Sequence, residues 1–251
     1  MKLSEAQARF KADYIRDRGY WVPFNDGLLE HAPQFLQTYF EYAALPARTG
    51  PLSVQLRELI YVAVDTSSTH MFGQGLEIHV KAALAAGCSA QQLIEVMELA
   101  TAQGLDSVSR GIGIVVEELA AAEGCTDPSD TRDLTTAEAA LRDDYVARFG
   151  DWPRWCDLLV RRDPDYFAAM TRMLDGPALT GGLDAKTRSL IAFALAASPT
   201  HLEPEAMRLH AARAIRAGAT GPELVEALQL VAHLGIHACV IGVPLIAEAA
   251  G

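Results

Sequence analysis

None of the four cysteines, Cys88, Cys125, Cys156 and Cys239, stands in a C-x-x-C pair, at zinc-ligand spacing or in a disulfide framework. That scarcity leaves free thiols in a reducing compartment as the expectation. Positive charge is sparse as well: 21 Lys and Arg stand against 32 Asp and Glu, a formal net charge of -11 that no basic cluster offsets locally. Such a chain repels phosphate backbones and anionic lipid, so nucleic acid and membrane surfaces are not expected partners. The N-terminal stretch Met1 to Arg18 is charged throughout and lacks the apolar core and small-residue cleavage site of a signal peptide, which makes the cytoplasm the expected location. Long apolar runs are missing with one exception, Leu228 to Ala250. His233, Gly235, His237, Gly242 and Pro244 interrupt that run, and its counterpart in the first half carries Glu98, Asp106 and Arg110. Both stretches are therefore expected as buried helices and not membrane spans. Strict period-two alternation is absent too, so no sheet is expected.

What the chain does have is itself, twice. Residues 4–120 align with 135–251 at a constant offset of 131 with no gap, and roughly thirty of the 117 aligned positions are identical. Chance in so Ala-rich a composition gives on the order of ten. Matched pairs include Tyr14/Tyr145, Trp21/Trp152, Arg57/Arg188, His70/His201, His79/His210, Gly87/Gly218, Glu95/Glu226 and Gly104/Gly235. The expected organisation is repeat 1 over 1–120, a linker over 121–134 rich in Asp, Ser and Thr with Gly124 and Pro128, and repeat 2 over 135–251.

Each copy reads as helix throughout. After the cap candidate Ser53, Leu56, Leu59, Ile60, Ala63 and Val64 recur at helical spacing, and Leu190, Ile191, Ala194 and Leu195 repeat the pattern. Gly87 and Gly218 can take the left-handed conformation that ends a helix. Directly after them, Ser89 with Gln92 and Thr220 with Glu223 have capping-box spacing, so a new helix starts at once in each copy. The aromatic residues Tyr20, Trp21, Phe24, Phe35, Tyr39 and Phe40, with Trp152, Trp155, Tyr166 and Phe167, are expected in the core or between the copies. Glu95 and Glu226 read as helix-surface residues in salt bridges.

The segments Arg57-Glu58-Leu59-Ile60, Glu77 to Gly87 (EIHVKAALAAG) and Leu93-Ile94-Glu95-Val96 resemble the carboxymuconolactone decarboxylase family, and Arg188, Leu190-Ile191, His210, Gly218-Ala219-Thr220 and Glu223 to Glu226 repeat the resemblance. It implies an all-α fold of two tandem alkyl hydroperoxidase D-like helical repeats. It also implies a homo-oligomer, a trimer of fused pairs being favoured, with sites near subunit contacts. The peroxidase-like branch of that superfamily places C-x-x-C four residues before its helix His. Here those positions are Phe72 and Gly75 in the first copy and Glu203 and Ala206 in the second, which argues against thiol peroxidase chemistry. The decarboxylase branch implies acid-base work on a small carboxylate or lactone without a cofactor, as in the breakdown of aromatic compounds.

Acid-base chemistry needs a group that titrates near neutrality and a partner that sets its protonation state. His79 carries over the family His and Glu58 the family Glu; Ser189 replaces Glu58 in the second copy, where His210 matches His79. His70 and His201 stand in a loop of both copies, each after a Thr. Glu203 lies seven residues before His210, so on one helix it could orient that ring; an N-terminal helix role beside Pro204 reads equally well. A structural role remains open for every one of these histidines. His233 and His237, at i and i+4, have metal-ligand spacing, although the first copy has Ala102 and Asp106 there and no third ligand is fixed by sequence. No cofactor motif is present. A lyase or isomerase on a small molecule, a non-catalytic binding or scaffold protein, and a metal-dependent enzyme using the second-copy histidines are the competing expectations.

Overall fold

The computed structural model describes residues 3–124 and 131–250; Cys125 and the middle of the expected linker lie outside them. Among the described residues there is no β-strand, and each copy supplies seven α-helices. In the first they are α1 (Glu5–Arg18), α2 (Pro23–His31), α3 (Pro33–Thr49), α4 (Val54–Thr66), α5 (Gly73–Ala85), α6 (Ala90–Ala102) and α7 (Asp106–Glu123). In the second they are α8 (Thr136–Phe149), α9 (Arg154–Arg162), α10 (Pro164–Thr180), α11 (Ala185–Ala197), α12 (Pro204–Arg216), α13 (Gly221–Ala232) and α14 (His237–Ala250). A short 3-10 turn, Gln103–Leu105 or His233–Ile236, joins the last two helices of each copy.

The caps fall where local chemistry asks for them. Ser53 Oγ accepts from the Leu56 N–H, and the capping boxes Ser89/Gln92 and Thr220/Glu223 both close. Gly87 and Gly218, at φ 94° and 90°, end α5 and α12 in a region that costs a side chain with Cβ. The central core is shared between the copies: Leu59, Ile60, Ala63 and Val96 pack with Leu190, Ile191, Ala194 and Leu230, all nearly inaccessible. At the surface, outside this core, Thr69 Oγ1 meets Thr200 Oγ1 at 3.1 Å. Positions matched by the repeat thus touch each other, which marks a pseudo-twofold axis.

The two outer cores are exchanged. Tyr14, Phe24, Leu36 and Phe40 of the first copy are closed by Ile236, Val240 and Val243 of the second. Conversely Tyr145, Leu159 and Phe167 of the second copy are covered by Leu105, Val108 and Ile112 of the first. The last helix of each copy therefore serves the other. Of the expected core aromatics, Phe35 and Tyr166 face outward instead, at 49% and 41% exposure, because they sit on the solvent side of α3 and α10.

Two further expectations are corrected. Glu95 and Glu226 are fully buried. Glu226 accepts the Leu52 N–H at 2.6 Å and faces Arg57 at 3.5 Å; Glu95 accepts from Gly182 and Leu183 at 2.7 and 2.8 Å and faces Arg188 at 3.2 Å. Each carboxylate reaches across to the segment just before the other copy's fourth helix, where backbone N–H donors and an Arg offset its burial. The apolar run to Ala250 is not a buried helix either. The helical stretch 221–250 is long and apolar enough to cross a membrane by composition, yet α14 packs only one face, on α2, and leaves Ile241, Leu245 and Ile246 exposed.

Candidate active site: two unequal mirror sites

The pseudo-twofold axis creates two related sites, each built on one copy's fourth and fifth helices and roofed by the other copy's 3-10 turn. The first holds the Glu58–His79 pair. Glu58 on α4 and His79 on α5 meet at 2.8 Å, Glu58 Oε2 to His79 Nδ1. Both are mostly shielded, with 19% and 11% of the side chains exposed, so the carboxylate fixes the ring while an edge still reaches solvent. Tyr61, one turn beyond Glu58 on α4, stacks on the His79 ring with centroids 4.5 Å apart, and its hydroxyl bonds His233 Nδ1 at 2.8 Å. His233, from the other copy's 3-10 turn, is buried and has its pKa pushed down to about 3 by desolvation and then by Arg18, which keeps it neutral. Burial pushes the Tyr61 hydroxyl up to about 12, so it remains protonated as well. Arg18 itself is held by the Ala43 carbonyl at 3.1 Å and the Tyr20 hydroxyl at 3.2 Å.

Beside this pair a second cluster forms. His70 Nε2 and His237 Nδ1 lie 2.7 Å apart, and His237 Nε2 is 4.0 Å from Asp65 Oδ1. Phe72 stacks on His237 with centroids 3.9 Å apart. Asp65 is buried, and desolvation, then the nearby Glu58 charge, raises its pKa to about 8. The i, i+4 pair His233/His237 is thus split: the 3-10 turn sends His233 to Tyr61 and His237 to His70. Asp65, Tyr61 and Arg18 carried no motif in the sequence. Their only signal was a polar or aromatic residue at a position where the other copy has Ala192, Ala196 or Phe149.

The second site is open where the first is filled. Tyr61 and His233, which bond to each other, are matched by Ala192 and Ala102, and both alanines line a cavity of about 480 Å³ with His210, Arg188, Arg213 and Glu203 among others. His210 borders it as a neutral ring, its pKa pushed down to about 3 by burial and by the neighbouring Arg213. The arginines at its wall are already engaged: Arg213 lies 2.8 Å from Asp151, and Arg188 faces Glu95. Glu203 does not orient His210. It is the N-cap of α12, accepts from the Glu205 N–H at 3.2 Å and pairs with Arg110 of the other copy at 2.7 Å. His201 pairs across the copies with Asp106 at 2.7 Å. Ser189, in place of Glu58, turns its hydroxyl to the Ala185 carbonyl and supplies no carboxylate.

The described cysteines are free, with Cys88 and Cys156 buried and Cys239 half-buried. Burial raises Cys88 and pushes Cys156 up to about 12, away from the thiolate that peroxide chemistry needs.

Comparison with known proteins is decisive at the family level. The model of the carboxymuconolactone decarboxylase family matches residues 33–112 and 164–235, one segment in each copy and together more than half of the chain. The chain belongs to the carboxymuconolactone decarboxylase family. A crystal structure from Burkholderia xenovorans, provisionally described as a gamma-carboxymuconolactone decarboxylase subunit, superimposes on this family member with a TM-score of 0.90 at 30% identity, covering 96% of each chain. None of the curated proteins compared matches it. The likeness runs through both halves, so the fused pair of repeats is shared architecture.

Proposed function

We propose that this family member is a cofactor-independent lyase or isomerase that acts on a small carboxylate or lactone, with proton transfer at His79. The observation that carries the reading is the 2.8 Å bond from His79 Nδ1 to Glu58. It assigns Nδ1 to the carboxylate and leaves Nε2 to exchange a proton with substrate. In a decarboxylation the bond from carbon to the carboxylate breaks, carbon dioxide leaves, and the electron pair passes into a conjugated lactone carbonyl. Protonated His79 then delivers its proton to the carbon, and Glu58 stabilises the imidazolium between steps. Tyr61 and His233, both neutral, hold the ring in place. In an isomerisation the same nitrogen takes a proton from one carbon and returns it to another.

A second reading rests on a different observation. The cavity beside His210 is apolar over most of its wall and large enough for a small metabolite, which supports a binding role for the second site, without the Glu partner that proton transfer calls for. His201 and Glu203, tied up in ion pairs with Asp106 and Arg110, would then shape the site and take no part in a reaction.

The test follows carbon dioxide release and product spectra from carboxymuconolactone and related small lactone acids. His79→Ala and Glu58→Gln are expected to lower turnover, His79→Ala by about 10²- to 10⁴-fold, with circular dichroism and melting retained. His210→Ala is expected to change turnover little. Unchanged activity per folded molecule in both His79→Ala and Glu58→Gln would remove the proton-transfer reading, and loss in His210→Ala alone would move the chemistry to the cavity.

A further inference from the structure

The cluster beside the proton-transfer pair has no part in that chemistry, and three observations give it another role. Asp65, His70 and His237 can each offer one donor atom such that all three lie within 4.8 Å of one another. Asp65 Oδ2 is buried with no hydrogen-bond partner, a condition native proteins rarely leave uncompensated. Gly75 lets α5 pack close to that oxygen, since a Cβ there would stand 2.2 Å from Asp65 Oδ2 and displace it.

We propose that Asp65, His70 and His237 form a binding site for a divalent first-row transition ion, zinc being the best-suited occupant. Two imidazole nitrogens and one carboxylate oxygen form the ligand set that holds zinc with a further position free for water or a ligand. At zinc bond lengths of about 2.0–2.2 Å such donors stand roughly 3.4 Å apart, so the two histidine nitrogens, now 2.7 Å apart, part by about 0.7 Å on binding while the Asp65 oxygen moves in. The stacked rings make this easy. His70 and His237 lie nearly parallel, 10° between planes, with their nitrogens 2.7 Å apart, and an ion can replace the proton they now share. Phe72 lies against both rings, its centroid 3.9 Å from that of His237 and 5.6 Å from that of His70.

The mirror position supplies an internal control. There His70 is matched by His201, His237 by Asp106, Asp65 by Ala196 and Gly75 by Ala206. His201 and Asp106 satisfy each other at 2.7 Å, and Ala196 offers no third donor. One ion per chain is therefore expected, not two.

The proposal does not depend on the proton-transfer reading, since binding is measured without turnover. The full-length protein, stripped with chelator and desalted, is titrated with zinc by calorimetry and analysed by elemental mass spectrometry; cobalt(II) serves as a spectroscopic probe. One zinc per chain is expected, with tetrahedral cobalt bands and no thiolate charge transfer. His237→Ala and Asp65→Asn should weaken binding by at least about tenfold, and His201→Ala should leave it unchanged. Should those variants fold poorly, His70→Gln and Gly75→Ala, checked by melting without metal, carry the same expectation. Substoichiometric zinc in the parent, undiminished binding in folded His237→Ala or His70→Gln, or a cobalt spectrum with thiolate charge transfer would each overturn the assignment.

Discussion

Single substitutions between mirror positions decide what each site can do. Replacing Tyr61 by Ala192 and His233 by Ala102 turns a stacked, hydrogen-bonded wall into a cavity, and replacing Glu58 by Ser189 removes the carboxylate that positions a histidine. Two desolvated rings also give the fold a pH dependence. His210 and His233 each have a folded pKa near 3, well below the ordinary value of 6.5. The unfolded chain therefore binds more protons between about 3 and 6.5, so their contribution to stability is complete above 6.5 and is lost as pH falls through that window. Melting temperature measured from pH 7 to pH 4 should drop, and His233→Gln or His210→Gln should flatten that acid limb. A limb unchanged in both variants would show that carboxylate titration dominates. The residues at the peroxidase-motif positions, Phe72, Gly75, Glu203 and Ala206, carry no thiol. Thiol-dependent turnover of alkyl hydroperoxides is accordingly expected to be absent, and a robust rate that vanished in Cys88→Ser, Cys239→Ser protein would contradict the reading of both sites.

Among the elements, α6 and α13 do more than their apolar stripes announce. Their buried Glu95 and Glu226 clamp the segments that lead into α11 and α4 in the opposite copy. Loss of one carboxylate strands an Arg and backbone donors in a dry interface. Breaking a buried pair by removing one partner typically costs about 3–5 kcal/mol, so Glu95→Ala and Glu226→Ala should each destabilise by that order in urea unfolding. An effect under about 1 kcal/mol would place these groups among ordinary surface pairs. Both glutamates were legible as a repeated pair but not as buried, because a carboxylate on a predicted helix is solvated unless something outside the helix meets it. The caps of α4, α6 and α13, by contrast, were readable in full, since a cap is satisfied within four residues of itself.

For the whole molecule the exchange of α7 and α14 is the governing feature. A fragment of residues 1–124 leaves Tyr14, Phe24 and Phe40 without the Ile236, Val240 and Val243 that close their core. It should not persist as a folded monomer, and a fragment melting cooperatively as a monomer would show the exchanged contacts to be dispensable. The outer faces of the same helices, with Ile114 and Val115 on α7 and Leu245 and Ile246 on α14, stay apolar and exposed in symmetric positions. We expect these faces to be covered in a closed homo-oligomer, a trimer of fused pairs being favoured, because exposed patches of this kind usually mark contacts. Light scattering decides: a stable monomer at micromolar concentration removes this expectation, and Leu245→Asp should shift a trimer toward smaller species.

By itself the sequence determined the duplication, the all-helical class, the caps and terminators, and the candidate histidines, because periodicity, capping and repeat identity are written within a few residues or at one constant offset. Only the tertiary structure decided which of those histidines meet. Glu58 reaches His79 within one copy, but Tyr61 reaches His233, His70 reaches His237, and His201 reaches Asp106 across two. Such pairings follow from the exchange of the last helix between copies, and no local pattern encodes which half of a duplicated chain will cover the other.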